Sequence, residues 1–176
     1  MNVLVIYGSL REKSINRGLA REFAALAPVD MKCELIGVGE FPLFNADLEA
    51  SPLPEFITQY KKKIASADGI LIVTPEYNRS MPGSLKNMID WTSRGELPWA
   101  GKKVGVIGAS DGPRGASFAQ YDVKRIMTYF NAHVMGQPEF YLANSNTTMD
   151  AEGTIVDEKS KQVLAKYVAA FHTYLE

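Results

Sequence analysis

Apolar runs of strand length alternate along this chain with segments of helical period, the pattern of a parallel sheet covered by helices on both faces. Val3 to Tyr7, Ile70 to Val73 and Val104 to Ile107 are nearly all apolar, as strands buried on both sides must be. Met31-Lys32-Cys33-Glu34-Leu35 alternates instead, and the segment from Val134 to Tyr141 carries Pro138, so these two read as edge strands. Helical spacing recurs at Ile15, Leu19 and Phe23 before Pro28, at Leu53, Ile57, Tyr60 and Ile64, and at Leu85, Met88 and Ile89. It returns at Ala119, Val123, Ile126 and Phe130, and at Leu164, Val168, Phe171 and Leu175.

Joined by right-handed crossovers, these elements predict an α/β domain: a doubly wound, five-stranded parallel sheet of order 2-1-3-4-5 with helices on both faces, flavodoxin-like in arrangement. One domain, residues 1–176, accounts for the whole chain. The chain reverses direction between strands 1 and 3, so a ligand is expected at the carboxyl ends there, where the loops after strands 1, 3 and 4 converge.

The first of these loops, Gly8-Ser9-Leu10-Arg11-Glu12-Lys13-Ser14-Ile15-Asn16, runs from a strand into a helix. Such a junction presents unpaired N–H groups and the positive end of a helix dipole to an anion. Ser9, Ser14 and Asn16 add side-chain donors, and Arg11 adds a charge able to grip a phosphate bidentately. The spacing matches neither the nucleoside-triphosphate loop nor the dinucleotide fingerprint, and one hydroxyl-rich loop with one Arg suits a terminal phosphate. The second loop, Thr74 to Gly83, places Tyr77 beside Glu76 and Asn78, a flat ring among donors and acceptors suited to an aromatic heterocycle. The third, Gly108 to Ala116, is glycine-rich and lets backbone approach a planar ligand.

Composition narrows the picture further. Nineteen basic and twenty acidic side chains give a formal charge of −1, which favours neither nucleic acid nor anionic lipid. Cys33 is the one cysteine, so no internal disulfide forms, and it has no neighbour in metal-ligand spacing. It is expected to face the core from a strand. No membrane-spanning run or signal-like start is present, so a cytoplasmic location is expected. His133 and His172 lie away from all three loops and are expected to be structural.

These residues resemble the NAD(P)H-dependent FMN reductases, including bacterial quinone and chromate reductases, over nearly the whole chain. The likeness rests on Gly8-Ser9-x-Arg11-x-x-Ser14-x-Asn16, on Pro75-Glu76-Tyr77-Asn78 continuing into Pro82-Gly83-x-Leu85-Lys86-Asn87-x-Ile89-Asp90-Trp91, and on Ser110-x-Gly112-x-x-Gly115. It implies an FMN phosphate held by Ser9, Arg11, Ser14, Ile15 and Asn16. It also implies a flavin ring contacted by Pro75, Glu76, Tyr77 and Asn78 on one side and by Ser110, Gly112 and Gly115 on another. Hydride would pass from NADPH or NADH to the flavin, and two electrons would follow to a quinone, flavin, azo, nitro or chromate acceptor, without a catalytic side chain. Where such proteins often carry two adjacent glycines, this chain has Gly115-Ala116.

Two other readings fit less well. A flavodoxin-like FMN electron carrier without nicotinamide oxidation usually has a more acidic surface and a phosphate loop lacking Arg. A phospho-acceptor domain needs an acidic cluster after strand 1 and an Asp ending strand 3, where Gly8-Ser9 and Thr74-Pro75 stand. Finally, Phe118, Tyr121 and Tyr129 form a second apolar stripe on the helix expected from Ala116 to Asn131, so a homodimer or homotetramer is expected.

Overall fold

The structure, a computed structural model, describes residues 1–39, 41–50 and 53–176. Strand β1 (Asn2–Tyr7) lies between β2 (Lys32–Gly37) and β3 (Gly69–Val73), and β4 (Lys103–Ala109) follows β3, all parallel. The order 2-1-3-4-5 expected from the pattern is the order observed. The fifth position differs from the single strand expected. It is split into β5 (His133–Val134), paired with Lys103 and Val104 at the start of β4, and β6 (Tyr141–Leu142), paired with Gly108 and Ala109 at its end. Pro138 stands between them, and a residue without an N–H cannot carry the ladder across the gap.

Side chains leave each central strand alternately to two cores. Val3, Val5, Leu71, Val73 and Ile107 pack with Leu19 and Phe23 of α1 (Ile15–Ala25) and with Leu164, Val168 and Phe171 of α7 (Glu158–Leu175). Leu4, Ile6, Ile70, Ile72, Val104 and Val106 pack on the other side. Their partners are Tyr60 and Ile64 of α3 (Glu55–Ser66), Leu85, Met88 and Ile89 of α4 (Gly83–Thr92), and Ala119, Val123 and Met127 of α5 (Ser117–Tyr129). Each fully buried aliphatic side chain contributes about 1.5–3 kcal/mol, so the two cores fix the sheet register firmly. Two single-turn helices, α2 (Ala46–Glu49) and α6 (Ser145–Thr148), carry too few residues to leave a periodic signal.

On α5 the core-facing stripe is shifted from the expected one: Met127 is fully buried, whereas Ile126 is only partly so. Phe118, Tyr121 and Tyr129 are 41%, 57% and 81% exposed, as the second stripe requires. Cys33 is half-buried against the first core, where loss of solvent pushes its thiol pKa up. His172 meets Asp30 at 2.9 Å on the surface, away from the sheet's carboxyl edge. No helix among the described residues is long and apolar enough to cross a membrane.

Glu139, two residues before β6, accepts a 2.7 Å bond from Lys124 of α5 in a pair only 13% and 18% exposed. Burial raises the carboxyl's pKa, but hydrogen bonds from Lys124, Tyr141 and Tyr121 outweigh it, and the net shift is downward. A carboxylate with a lowered folded-state pKa stabilises above the ordinary carboxylate range, and that contribution is lost as pH falls through the folded value. Glu139→Gln is therefore expected to cost about 1–2 kcal/mol in urea unfolding at neutral pH, and the difference from wild type should shrink as pH falls below the ordinary carboxylate range.

Candidate functional site

Strands β1 and β3 end level, with Tyr7 opposite Val73, and β4, in register with them at Ile107, runs on to Ala109. Two further backbone bonds extend this alignment into the loops, from Gly8 N–H to the Val73 carbonyl and from Thr74 N–H to the Ile107 carbonyl, both 2.9 Å. The three loops consequently surround one cleft of about 100 Å³. Its walls are Ser9, Arg11, Ser14, Ile15 and Asn16 from the first loop, Pro75, Glu76 and Tyr77 from the second, and Ala109, Ser110 and Asp111 from the third. All the expected contact residues except Asn78, Gly112 and Gly115 line it.

The first loop forms the deep end. Ser14 caps α1, its Oγ accepting from Arg17 N–H at 3.2 Å, and no acidic residue stands in the first helical turn. Among the described residues, the N–H groups of Ile15 and Asn16 have no protein acceptor. Ser9 Oγ accepts from Arg11 N–H at 3.3 Å and keeps its own proton to donate, while the exposed Arg11 guanidinium donates to the Lys13 carbonyl at 3.3 Å. Free amides, two hydroxyls, a guanidinium and a helix dipole together make an anion cradle. The Asn16 side chain has a partner within the protein. Its amide is buried and closes a two-bond ring with Ala109, accepting from that residue's N–H at 2.9 Å and donating to its carbonyl at 3.0 Å. The Asn16 side chain thus ties α1 to the end of β4, leaving its backbone N–H and the second proton of its amide for a ligand.

The second loop forms the rim. Tyr77 and Ser80 exchange backbone bonds of 2.9 and 3.1 Å around a reverse turn in which Asn78 and Arg79 both have positive φ, 51° and 67°. Asn is suited to that conformation, and it carries Asn78 to the turn tip while Tyr77 stays half-exposed beside the cleft. Glu76 has a role the sequence did not disclose: its carboxylate accepts from Phe118 N–H at 2.9 Å and Ala119 N–H at 3.2 Å, capping α5 from another loop. That helix lacks a cap of its own, since Ala116 at its N-cap has no side-chain acceptor and adopts φ 63°, ψ 30°. A left-handed alanine costs about 1–2 kcal/mol, a cost glycine would not incur there.

In the third loop, Ser110 Oγ accepts from Ala116 N–H and donates to the Gly112 carbonyl, each at 3.3 Å. Gly115 serves packing, because a Cβ there would lie 2.7 Å from the Tyr141 carbonyl carbon. Gly112 has open space around it. Asp111, which sequence reasoning passed over, lines the cleft and accepts from the Ser145 hydroxyl. Ala109 was missed as well, having no chemical signature beyond its place at the end of a strand.

A family model described as NADPH-dependent FMN reductase matches residues 1–147. The chain belongs to the NADPH-dependent FMN reductase family. It is 40% identical over 177 aligned residues to a 2-hydroxy-1,4-benzoquinone reductase of a Burkholderia species, covering 99% of this chain and 96% of that one. It is 34% identical to a quinone reductase of Escherichia coli K12, covering all of this chain and 96% of that one. Among solved structures it is similar to FerB, a flavoenzyme NAD(P)H:(acceptor) oxidoreductase of Paracoccus denitrificans, with a TM-score of 0.90 and 37% identity over 99% of this chain and 96% of that one. The protein is an enzyme of this family, with FMN as cofactor and NAD(P)H as co-substrate.

The ring between Asn16 and Ala109 generates a stability prediction. Asn16→Ala leaves a buried donor and a buried acceptor unpaired and should cost about 2–4 kcal/mol in urea unfolding. Asn16→Asp, which still accepts from Ala109 N–H but cannot donate, should fall between the two.

Proposed function

We propose that this enzyme oxidises NADPH or NADH and reduces a quinone or a similarly flat, electron-poor small molecule, such as a free flavin, an azo or nitro compound or chromate, with donor and acceptor using one opening in turn. The observation that carries the reading is the meeting of an anion cradle with a shallow rim in a single cleft. The cofactor fits what is there. A volume of about 100 Å³ suits a phosphate and the start of a polyol chain but not a three-ring system, so the residues of the cleft would enclose the phosphate end and those of the rim would border the ring.

Ser9, Ser14, Arg11 and the N–H groups of Ile15 and Asn16 would hold the FMN phosphate, and the backbone of Pro75–Tyr77 and Ala109–Asp111 would border the ring. When bound, FMN supplies hydride acceptance from a nicotinamide and delivery of two electrons to an oxidant. The protein's part is position and access. Glu76, committed to two N–H groups of α5, is held as a strut and not as a proton carrier. Tyr77 offers its half-exposed ring at the mouth, where a planar reactant can lie. Arg79 and Arg114 both lie against the Phe118 ring, at 5.1 and 5.6 Å from its centre, two cations on one loop-and-helix surface that would attract an anionic nucleotide.

The exposed aromatic stripe of Phe118, Tyr121 and Tyr129 supports a homodimer or homotetramer, because aromatic side chains are enriched in interface cores. Light scattering at micromolar concentration should return a multiple of the 19.4 kDa chain mass. A mass equal to one chain would refute the assembly.

Following absorbance of NADPH or NADH with and without a benzoquinone tests the activity itself: quinone-dependent oxidation is expected, with parallel double-reciprocal lines. Intersecting lines would show two substrate sites, and no nicotinamide oxidation at all would leave an electron carrier. Arg11→Ala, which removes a charge-assisted bond, should weaken FMN binding roughly 10- to 100-fold by fluorescence quenching without unfolding the chain.

A further inference from the structure

The turn that carries Tyr77 is held in a conformation its sequence does not favour. Asn78 and Arg79 both have positive φ, 51° and 67°, a region that asparagine tolerates and that a long side chain such as that of Arg79 rarely enters. Such strain persists only where the surroundings impose it, and it gathers where a side chain has to be aimed. Here the surroundings are one helix. Glu76, before the turn, caps the first N–H groups of α5, and the Arg79 guanidinium lies 5.1 Å from the centre of the Phe118 ring. At the end of the turn, the Ser80 hydroxyl donates to Asp122 Oδ2 at 2.6 Å.

That last contact takes no part in the reading above, because Asp122 does not line the cleft. It is nevertheless one side chain away from a residue that does. Ser80 exchanges backbone bonds of 2.9 and 3.1 Å with Tyr77, and Tyr77 stands 49% exposed on the cleft wall. The Asp122 side chain is 30% exposed, and its other oxygen lies 3.7 Å from Arg125 of the same helix, so α5 itself orients the carboxylate. A hydrogen bond to a carboxylate is roughly twice as strong as one between neutral groups. Without it, Asn78 and Arg79 would be free to relax, and the bridge between Tyr77 and Ser80 would open with them.

We propose that Asp122 is a positioning residue of the reaction: through Ser80 it fixes the turn 77–80, and so holds the Tyr77 ring where a planar reactant lies against the mouth of the cleft. The proposal rests on the reading of that cleft as the flavin and reactant site. Asp122 lies outside the cleft, so it acts on geometry alone. Its loss should slow the reaction without releasing the cofactor, whose phosphate would be held by the first loop. A reacting pair is sensitive to displacements of about 1 Å, which a loosened turn readily exceeds.

Two measurements test it. In hydrogen exchange of flavin-free protein, the segment 77–80 should exchange about tenfold faster in Asp122→Ala than in wild type, while Asp122→Asn, which can still accept from Ser80, stays within about threefold. Exchange in β1 should be unchanged, showing that the fold is intact. In anaerobic rapid mixing of FMN-loaded protein with NADPH or NADH, the limiting rate of flavin reduction should fall about tenfold in Asp122→Ala and in Ser80→Ala, with the half-saturating nicotinamide concentration changed less than about threefold. The double variant should be no slower than either single one, because both remove the same bond. Asp122→Asn should restore the rate to within about threefold of wild type, and FMN affinity should vary by less than about threefold throughout. Unchanged exchange in Asp122→Ala, an unchanged limiting rate, additive losses, FMN affinity lost in step with the rate, or no rescue by Asp122→Asn would each overturn the positioning role. Failure of wild type to bind FMN would instead overturn the flavin reading, and the exchange measurement alone would then decide whether Asp122 holds the turn.

Discussion

The site depends on three parallel strands held in one register. Tyr7, Val73 and Ile107 are neighbours in register, and each strand sends alternate side chains to a different core. A one-residue slip of β3 or β4 would exchange the faces of every side chain on that strand, and a two-residue slip would displace its loop by nearly 7 Å. Either would separate Ser9 and Ser14 from Ser110. The apolar burial that stabilises the sheet is thus also what sets the width of the cleft.

Much of this was legible in sequence because the central strands are almost uninterrupted apolar runs and the loops between them are not. Ser9, Arg11, Ser14 and Tyr77 stand where a strand-to-helix junction puts them, and the structure brings them together. What stayed hidden was pairing over long separations. Nothing in Asn16 announces that its amide will be taken by a backbone 93 residues away, and a loop glutamate looks the same whether it meets a ligand or caps a distant helix. The split of the last strand into β5 and β6 was signalled by Pro138 but not its extent, since a proline marks a break and not how far pairing resumes beyond it.

Glu76 links two regions that the sequence keeps apart. Its backbone borders the cleft, while its carboxylate holds the first N–H groups of α5, the helix that also presents Phe118, Tyr121 and Tyr129 to solvent. The rim of the site and the exposed aromatic surface are therefore tied together through one carboxylate. A partner seated on that surface would brace the mouth of the cleft through a single side chain.

The ring between Asn16 and Ala109 has a consequence in time. It joins the first helix to a strand that leaves the ribosome much later, so the anion cradle cannot be complete on a partly synthesised chain. Before β4 has entered the sheet, the helix after the loop at Ser9 to Asn16 lacks its side-chain tie and the cleft lacks the wall of the third loop. Flavin is then a ligand of the finished fold alone, and by mass action it adds about 2.7 kcal/mol to stability when present at a hundred times its dissociation constant. The supply of cofactor in the cell thereby becomes a term in how long each newly made chain survives.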